Sequence, residues 1–162
     1  MLNTQLTNLV LTEHGLEKID KLLKELVDIT NAKYILLVEK SGQKIASAGE
    51  DNPNAMALSA LVAGAFAATY QIAKLLGERE FRMMFQKGEH DNIFISLLDT
   101  QDLLTVVFDD RTTLGMIKLK TQQMSEKISK VIKDMHEESI KKPFTFSDLD
   151  RSKNNIDKIF KG

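Results

Sequence analysis

The stretch that most restricts what this chain can fold into is residues 53–77, PNAMALSALVAGAFAATYQIAKLLG. Ala60, Gly64 and Ala68 recur four apart, with Ala63 and Ala67 alongside. Residues four apart lie on one side of a helix, so that side carries almost no side-chain bulk. Glycine inside a helix costs about 1 kcal/mol relative to alanine. A glycine kept there points to something pressing closely on the backbone. Leu58, Leu61, Val62, Ala65, Ile72 and Leu76 are expected to form the opposite, core-facing side. Two occupants fit the smooth side: a strand of the same chain, or another protein.

Little else in the sequence offers chemistry. The chain has 162 residues, which suits one domain with a tail. Its 43% hydrophobic and 28% charged content is ordinary for a soluble globular protein. A formal charge of -1 gives no argument for binding nucleic acid. The absence of cysteine rules out disulfides, thiolate catalysis and Cys-based zinc sites. The first residues, MLNTQLTNLVLTEHG, lack the basic and apolar regions of a secretory signal. No apolar stretch is expected to span a bilayer, so a cytoplasmic protein without membrane insertion is expected. There is no GxxxxGK[ST] or GxGxxG phosphate loop, no HExxH and no GxSxG elbow. His14, His90 and His136 are far apart and read as surface residues. Asp109-Asp110-Arg111 reads as helix capping in preference to an acid pair. The expectation is therefore no catalytic residue, no metal and no cofactor. Nothing in the sequence marks a ligand pocket.

The order of elements follows from periodicity and punctuation. Leu16, Ile19, Leu23 and Leu26 place a first helix over 12–30, with Thr12 as N-cap. Tyr34-Ile35-Leu36-Leu37-Val38 reads as a strand covered on both faces. Ser41-Gly42 turns the chain into Lys44-Ile45-Ala46-Ser47-Ala48, the hairpin partner. Asn52 is the expected N-cap of the second helix, with Pro53 at its first position and Gly77 at its end. Phe81–Gln86, with Phe81, Met83 and Phe85 on one face, then Ile93–Leu98 and Leu103–Phe108, have meander spacing. Residues 110–113 offer capping side chains to a third helix. Its stripe is Leu114, Ile117, Thr121, Met124, Ile128, Val131 and Met135, and it should end before Pro143.

These elements predict an α+β fold, a five-stranded antiparallel sheet with helices against it in the order α-β-β-α-β-β-β-α, plus a C-terminal tail helix. The expected boundaries are a domain over 1–137 and, over 138–162, a flexible linker with a short helix that orders on a partner. The strand after the second helix falls at a sheet edge. Its residues Phe81, Arg82, Met83, Met84 and Phe85 are apolar for an uncovered edge. Antiparallel pairing of two copies there, bringing the second helices together, predicts a homodimer.

Several local motifs, in this order, resemble the Roadblock/dynein-light-chain superfamily and, within it, the MglB family of bacterial polarity regulators. They are Asn31-Ala32-Lys33, Leu37 to Gly49, Ala63-Gly64 with Ala67-Ala68, Ala73 to Phe81, Val107 to Gly115, and Ile156-Asp157-x-Ile159-Phe160. The resemblance implies a Roadblock-like fold and a homodimer that binds a small Ras-like GTPase of the MglA type and accelerates its hydrolysis of GTP. It implies a GTPase contact through Ala60, Ala63, Gly64, Ala67, Ala68, Gln71 and Lys74, and tail contacts through Phe144, Phe146, Ile156, Ile159 and Phe160. It implies no active site of the chain's own. The alternative on the same fold is a non-catalytic dimeric scaffold.

Overall fold

The first helix, α1 (Glu13–Thr30), begins where Thr12 Oγ1 accepts the Gly15 amide at 3.0 Å. It ends at Asn31, which adopts the left-handed conformation (φ 57) that asparagine tolerates. The chain then forms β1 (Tyr34–Val38) and β2 (Lys44–Gly49), the helix α2 (Ala55–Leu75), the meander β3 (Met83–Lys87), β4 (Asn92–Leu97) and β5 (Leu103–Phe108), and the long helix α3 (Leu114–Lys141). This computed structural model describes residues 12–141. The tail positions Phe144, Phe146, Ile156, Ile159 and Phe160 lie outside the described residues, as does most of the segment expected to follow residue 137.

The five strands form one antiparallel sheet in the order β2-β1-β5-β4-β3. β1 shows why its run is continuously apolar. Ile35 and Leu37 point into a core shared with Leu23 and Leu26 of α1 and Ile117, Ile128 and Ile132 of α3. Tyr34, Leu36 and Val38 point into a second core with Val62, Ala63 and Phe66 of α2. The sheet is thus sandwiched between α1 with α3 and α2 alone.

Three details differ from the sequence expectation. Helix α2 starts at Ala55, because Asn52 Oδ1 accepts the Asn54 amide at 2.9 Å and closes a turn through Pro53. The strand β3 starts at Met83, so Phe81 and Arg82 belong to the lead-in and Phe81 does not share a face with Met83 and Phe85. The cap of α3 comes from the expected 110–113, where Thr113 Oγ1 accepts the Met116 amide at 3.2 Å, but Asp109 does not cap the helix. Asp109 instead binds the amide and Nε of Arg111, at 3.1 and 2.9 Å, within the turn before α3.

Other expectations hold. Gly77 (φ +76) ends α2 in a Schellman arrangement, with Glu78 N bonded to Ala73 O at 2.9 Å and Gly77 N to Lys74 O at 3.2 Å. β3 is an edge strand, with β2 at the other edge.

Candidate partner-binding face

Helix α2 inverts the usual placement of bulk. The side facing the sheet consists of Ser59, Val62, Ala63, Phe66 and Ala73. The expected core side fails: Val62 is buried and Leu58 partly so, but Leu61 is 70% exposed and Ala65, Ile72 and Leu76 also face outward. The β1–β2 turn packs against the helix here. Gly42 (φ +98) lets that turn come so close that a Cβ there would lie 3.3 Å from Ala60 Cα and 3.6 Å from Ala63 Cβ. The turn thus packs close against this part of the smooth side, over buried Ala63 and beside Ala60, which stays exposed.

The rest of that side is open. Gly64, Ala67 and Ala68 are exposed, and a Cβ added at Gly64 would meet nothing within 4 Å. Gln71 and Lys74 extend the strip, with the Lys74 ammonium 4.7 Å from the centre of the Tyr70 ring. Of the contact residues expected from the sequence, Ala60, Gly64, Ala67, Ala68, Gln71 and Lys74 therefore lie on the surface, while Ala63 is 8% exposed and faces inward.

Beside the strip run Leu61, Ile72, Leu75 and Leu76, all exposed. Among the described residues α2 is the one helix long and apolar enough, by length and composition, to cross a membrane. That overturns the expectation that no such stretch exists. A helix apolar all round is normally buried all round. Here the sheet covers one side of it.

The edge strand β3 turns Met84 toward the α2 layer and Met83 and Phe85 toward the α3 layer. Met83 is 46% exposed and Phe85 40%, with Phe85 stacked on Phe108 at 6.2 Å between ring centres. Met84 packs into the α2-side core. Arg82 is held by Asp99 at 2.8 Å and Glu80 at 3.2 Å, while its carbonyl accepts the Leu97 amide at 2.8 Å.

Sequence reasoning missed a groove. It measures about 390 Å³ and lies between the C-terminal half of α2, the 79–81 segment and the β1–β2 and β4–β5 turns. Its floor is Phe66, Leu97 and Leu103, and Ala67 and Gln71 of the strip form one wall. Its lining comes from separated segments, so no local motif announces it.

Among charged groups, Asp102 in the β4–β5 turn is 5% exposed, and burial pushes its carboxyl above the usual range against the opposing hydrogen bond from Thr100. The Arg111 hydrogen bonds hold the half-buried Asp109 carboxyl below that range.

Residues 18–108 match the Roadblock/LC7 domain model. Myxococcus xanthus MglB superposes with a TM-score of 0.73 at 36% identity, covering 78% of this chain and 96% of that one. The gliding protein MglB from Thermus thermophilus gives 0.74 at 32% identity, covering 78% and 97%. An MglB described in a tetrameric arrangement gives 0.75 at 30% identity, covering 79% and 97%. No curated protein sequence matches. Sequence match and superposition agree with the five-stranded fold described above, and the chain belongs to the Roadblock/LC7 domain family, with MglB proteins among its similar members.

Proposed function

We propose that this chain is a homodimeric activator of a small Ras-like GTPase of the MglA type, acting in the cytoplasm in cell polarity or motility. The observation that carries the reading is the uncovered face of α2, with bare helix backbone at Gly64 beside exposed Leu61 and Ile72. Pairing of two β3 edges about a two-fold axis brings two such helices together. The combined surface presents closely approachable backbone to a partner. The similarity to MglB proteins at 30–36% identity supports the GTPase as that partner.

The activation proceeds by positioning. An inserted arginine is worth about 10³–10⁵ in rate, which is roughly 4–7 kcal/mol of barrier. Arg82 is engaged by Glu80 and Asp99, and Arg111 by Asp109 and Glu50. Arg79 lines the groove, away from the middle of the strip. Arg151 lies outside the described residues. The dimer therefore holds the GTPase's own catalytic groups in place.

Single-turnover GTP hydrolysis by an MglA-type GTPase, with and without excess protein, tests the reading. Acceleration is expected. Binding without acceleration would leave the chain a scaffold. Replacing Arg79 and Arg82 together by alanine should lower the stimulated rate by less than about tenfold, against the far larger loss of a missing finger. A loss of several hundredfold with binding intact would overturn the positioning mechanism.

A further inference from the structure

The groove beside α2 joins an apolar floor to two uncommitted cations. Phe66, Leu97 and Leu103 form the floor, each less than a tenth exposed. Lys40, from the β1–β2 turn, and Arg79, from the segment after α2, line the same groove and are exposed. Neither forms an ion pair among the described residues. Glu80, the acidic residue in the lining, is already paired with Arg82 at 3.2 Å. The groove therefore carries positive charge that its own lining does not neutralise. Such a site favours an apolar body that ends in an anionic group. The planar fork of an arginine matches a carboxylate, and a lysine beside it adds a point charge. A volume of about 390 Å³ is at the low end for small-molecule sites, so one hydrocarbon chain of moderate length fits and a two-tailed lipid does not.

One residue of the wall adds a polar contact at a cost to the fold. Gln101, in the β4–β5 turn, has φ 71, a left-handed conformation that glycine or asparagine adopts more cheaply. Its amide donates to Leu98 O at 2.9 Å, a bond that any residue other than proline could make there. Gln101 is exposed and lines the groove. A glutamine in that conformation supplies what glycine would not, a side-chain amide beside the groove.

We propose that this groove binds a medium-chain alkyl carboxylate, with the hydrocarbon chain on Phe66, Leu97 and Leu103 and the head group against Arg79 and Lys40. Each methylene that enters the groove tightens binding by about fourfold. Ala67 and Gln71 belong both to the groove and to the strip. On the GTPase reading above, the bound carboxylate and the GTPase therefore compete for one wall of the groove.

The test is a titration of the full-length chain with sodium octanoate, with no GTPase present, followed by the backbone amide signals in nuclear magnetic resonance. Signals of Ala67, Leu97, Gln101 and Leu103 should shift and saturate with a Kd below about 1 mM. Hexanoate, two methylenes shorter, should bind about tenfold more weakly. Octanamide, with the same hydrocarbon chain and no charge, should bind at least about fivefold more weakly than octanoate. A Lys40→Ala/Arg79→Ala variant should lower the octanoate affinity to that of octanamide and leave octanamide binding unchanged, which a general loosening of the fold would not do. Ala67→Trp, which fills the groove from an exposed position on its wall, should abolish binding of both. Equal affinities for octanoate and octanamide, shifts still unsaturated at about 5 mM, shifts confined to Leu61, Ile72 and Leu75, or full octanoate affinity in either variant would overturn the proposal. Because the sample holds no GTPase, this result and the hydrolysis assay can fail separately.

Discussion

Gly64→Ala should stabilise the fold and weaken the function, two effects of opposite sign from one methyl group. Gly64 lies inside α2, and its added Cβ meets nothing within 4 Å. The substitution therefore recovers the helix propensity that glycine forgoes, about 1 kcal/mol, without a clash in the protomer. For a domain of this size that raises Tm by about 4 °C. The same methyl stands where a partner would approach the backbone most closely. Overpacking a tight contact costs about 1–3 kcal/mol, which weakens binding by about 5- to 150-fold. Thermal unfolding followed by circular dichroism, at one fixed protomer concentration, reads the first effect. The concentration of protein giving half-maximal stimulation of GTP hydrolysis reads the second. A lowered Tm would mean that Gly64 is packed within the domain. A raised Tm with unchanged half-maximal concentration would mean that nothing presses on the strip. Gly64→Arg is the stronger version: the fold survives and stimulation is lost.

Met83→Glu places a charge on the exposed edge strand and should weaken self-association by at least about tenfold, the equivalent of 1.4 kcal/mol, in sedimentation equilibrium; an unchanged oligomer would remove the β3 edge from the interface. Asp102→Asn should raise stability at pH 7, with a difference from the parent that fades as the pH falls below the ordinary carboxylate range. The Asp102 carboxyl titrates higher in the folded protein than in the unfolded chain, so its stabilising protonated form is present at low pH and lost as pH rises through the folded value. Denaturant midpoints across pH 3–7 measure this, and parallel curves would refute the assignment of burial as the cause. Gly49→Ala should destabilise the domain by about 1–3 kcal/mol, since Gly49 has φ +100 and a Cβ there would collide with the Lys33 carbonyl; a denaturant midpoint within error of the parent would contradict the backbone geometry.

The parts of the fold legible in the sequence are those where one local signal decides. Gly77 supplies the left-handed residue that ends α2, Thr12 caps α1, and the unbroken run from Tyr34 to Val38 splits by alternation between two cores. The core side of α2 was not legible, because periodicity chooses a face only when the other face is polar. Here Leu61 and Ile72 are as apolar as Val62 and Phe66. One contact that distinguishes the faces is the Gly42 turn, which lies close against Ala60 and Ala63. That constraint joins positions distant in sequence. The start of β3 was misplaced for a similar reason. Alternation runs on through Phe81, but the Arg82 side chain is drawn to Asp99, and the regular ladder starts at Met83, two residues after Phe81.

This inversion bears on the oligomeric state through its energy. Covering a leucine or isoleucine side chain stabilises by about 1.5–3 kcal/mol. Leu61, Ile72, Leu75 and Leu76 are each at least half exposed. Sealing four such side chains on each of two protomers is worth roughly 12–24 kcal/mol gross, and the loss of translational and rotational freedom costs about 4–15 kcal/mol. Even discounted for side chains that remain partly wet, the gain exceeds the cost over most of that range. An ordinary surface helix, with its leucines against the sheet, would offer no such surplus. A helix that turns Leu61, Ile72, Leu75 and Leu76 outward is therefore half of a core. A monomer at micromolar concentration with α2 still exposed would break this argument at its first step, the assumption that the outward leucines have somewhere to go.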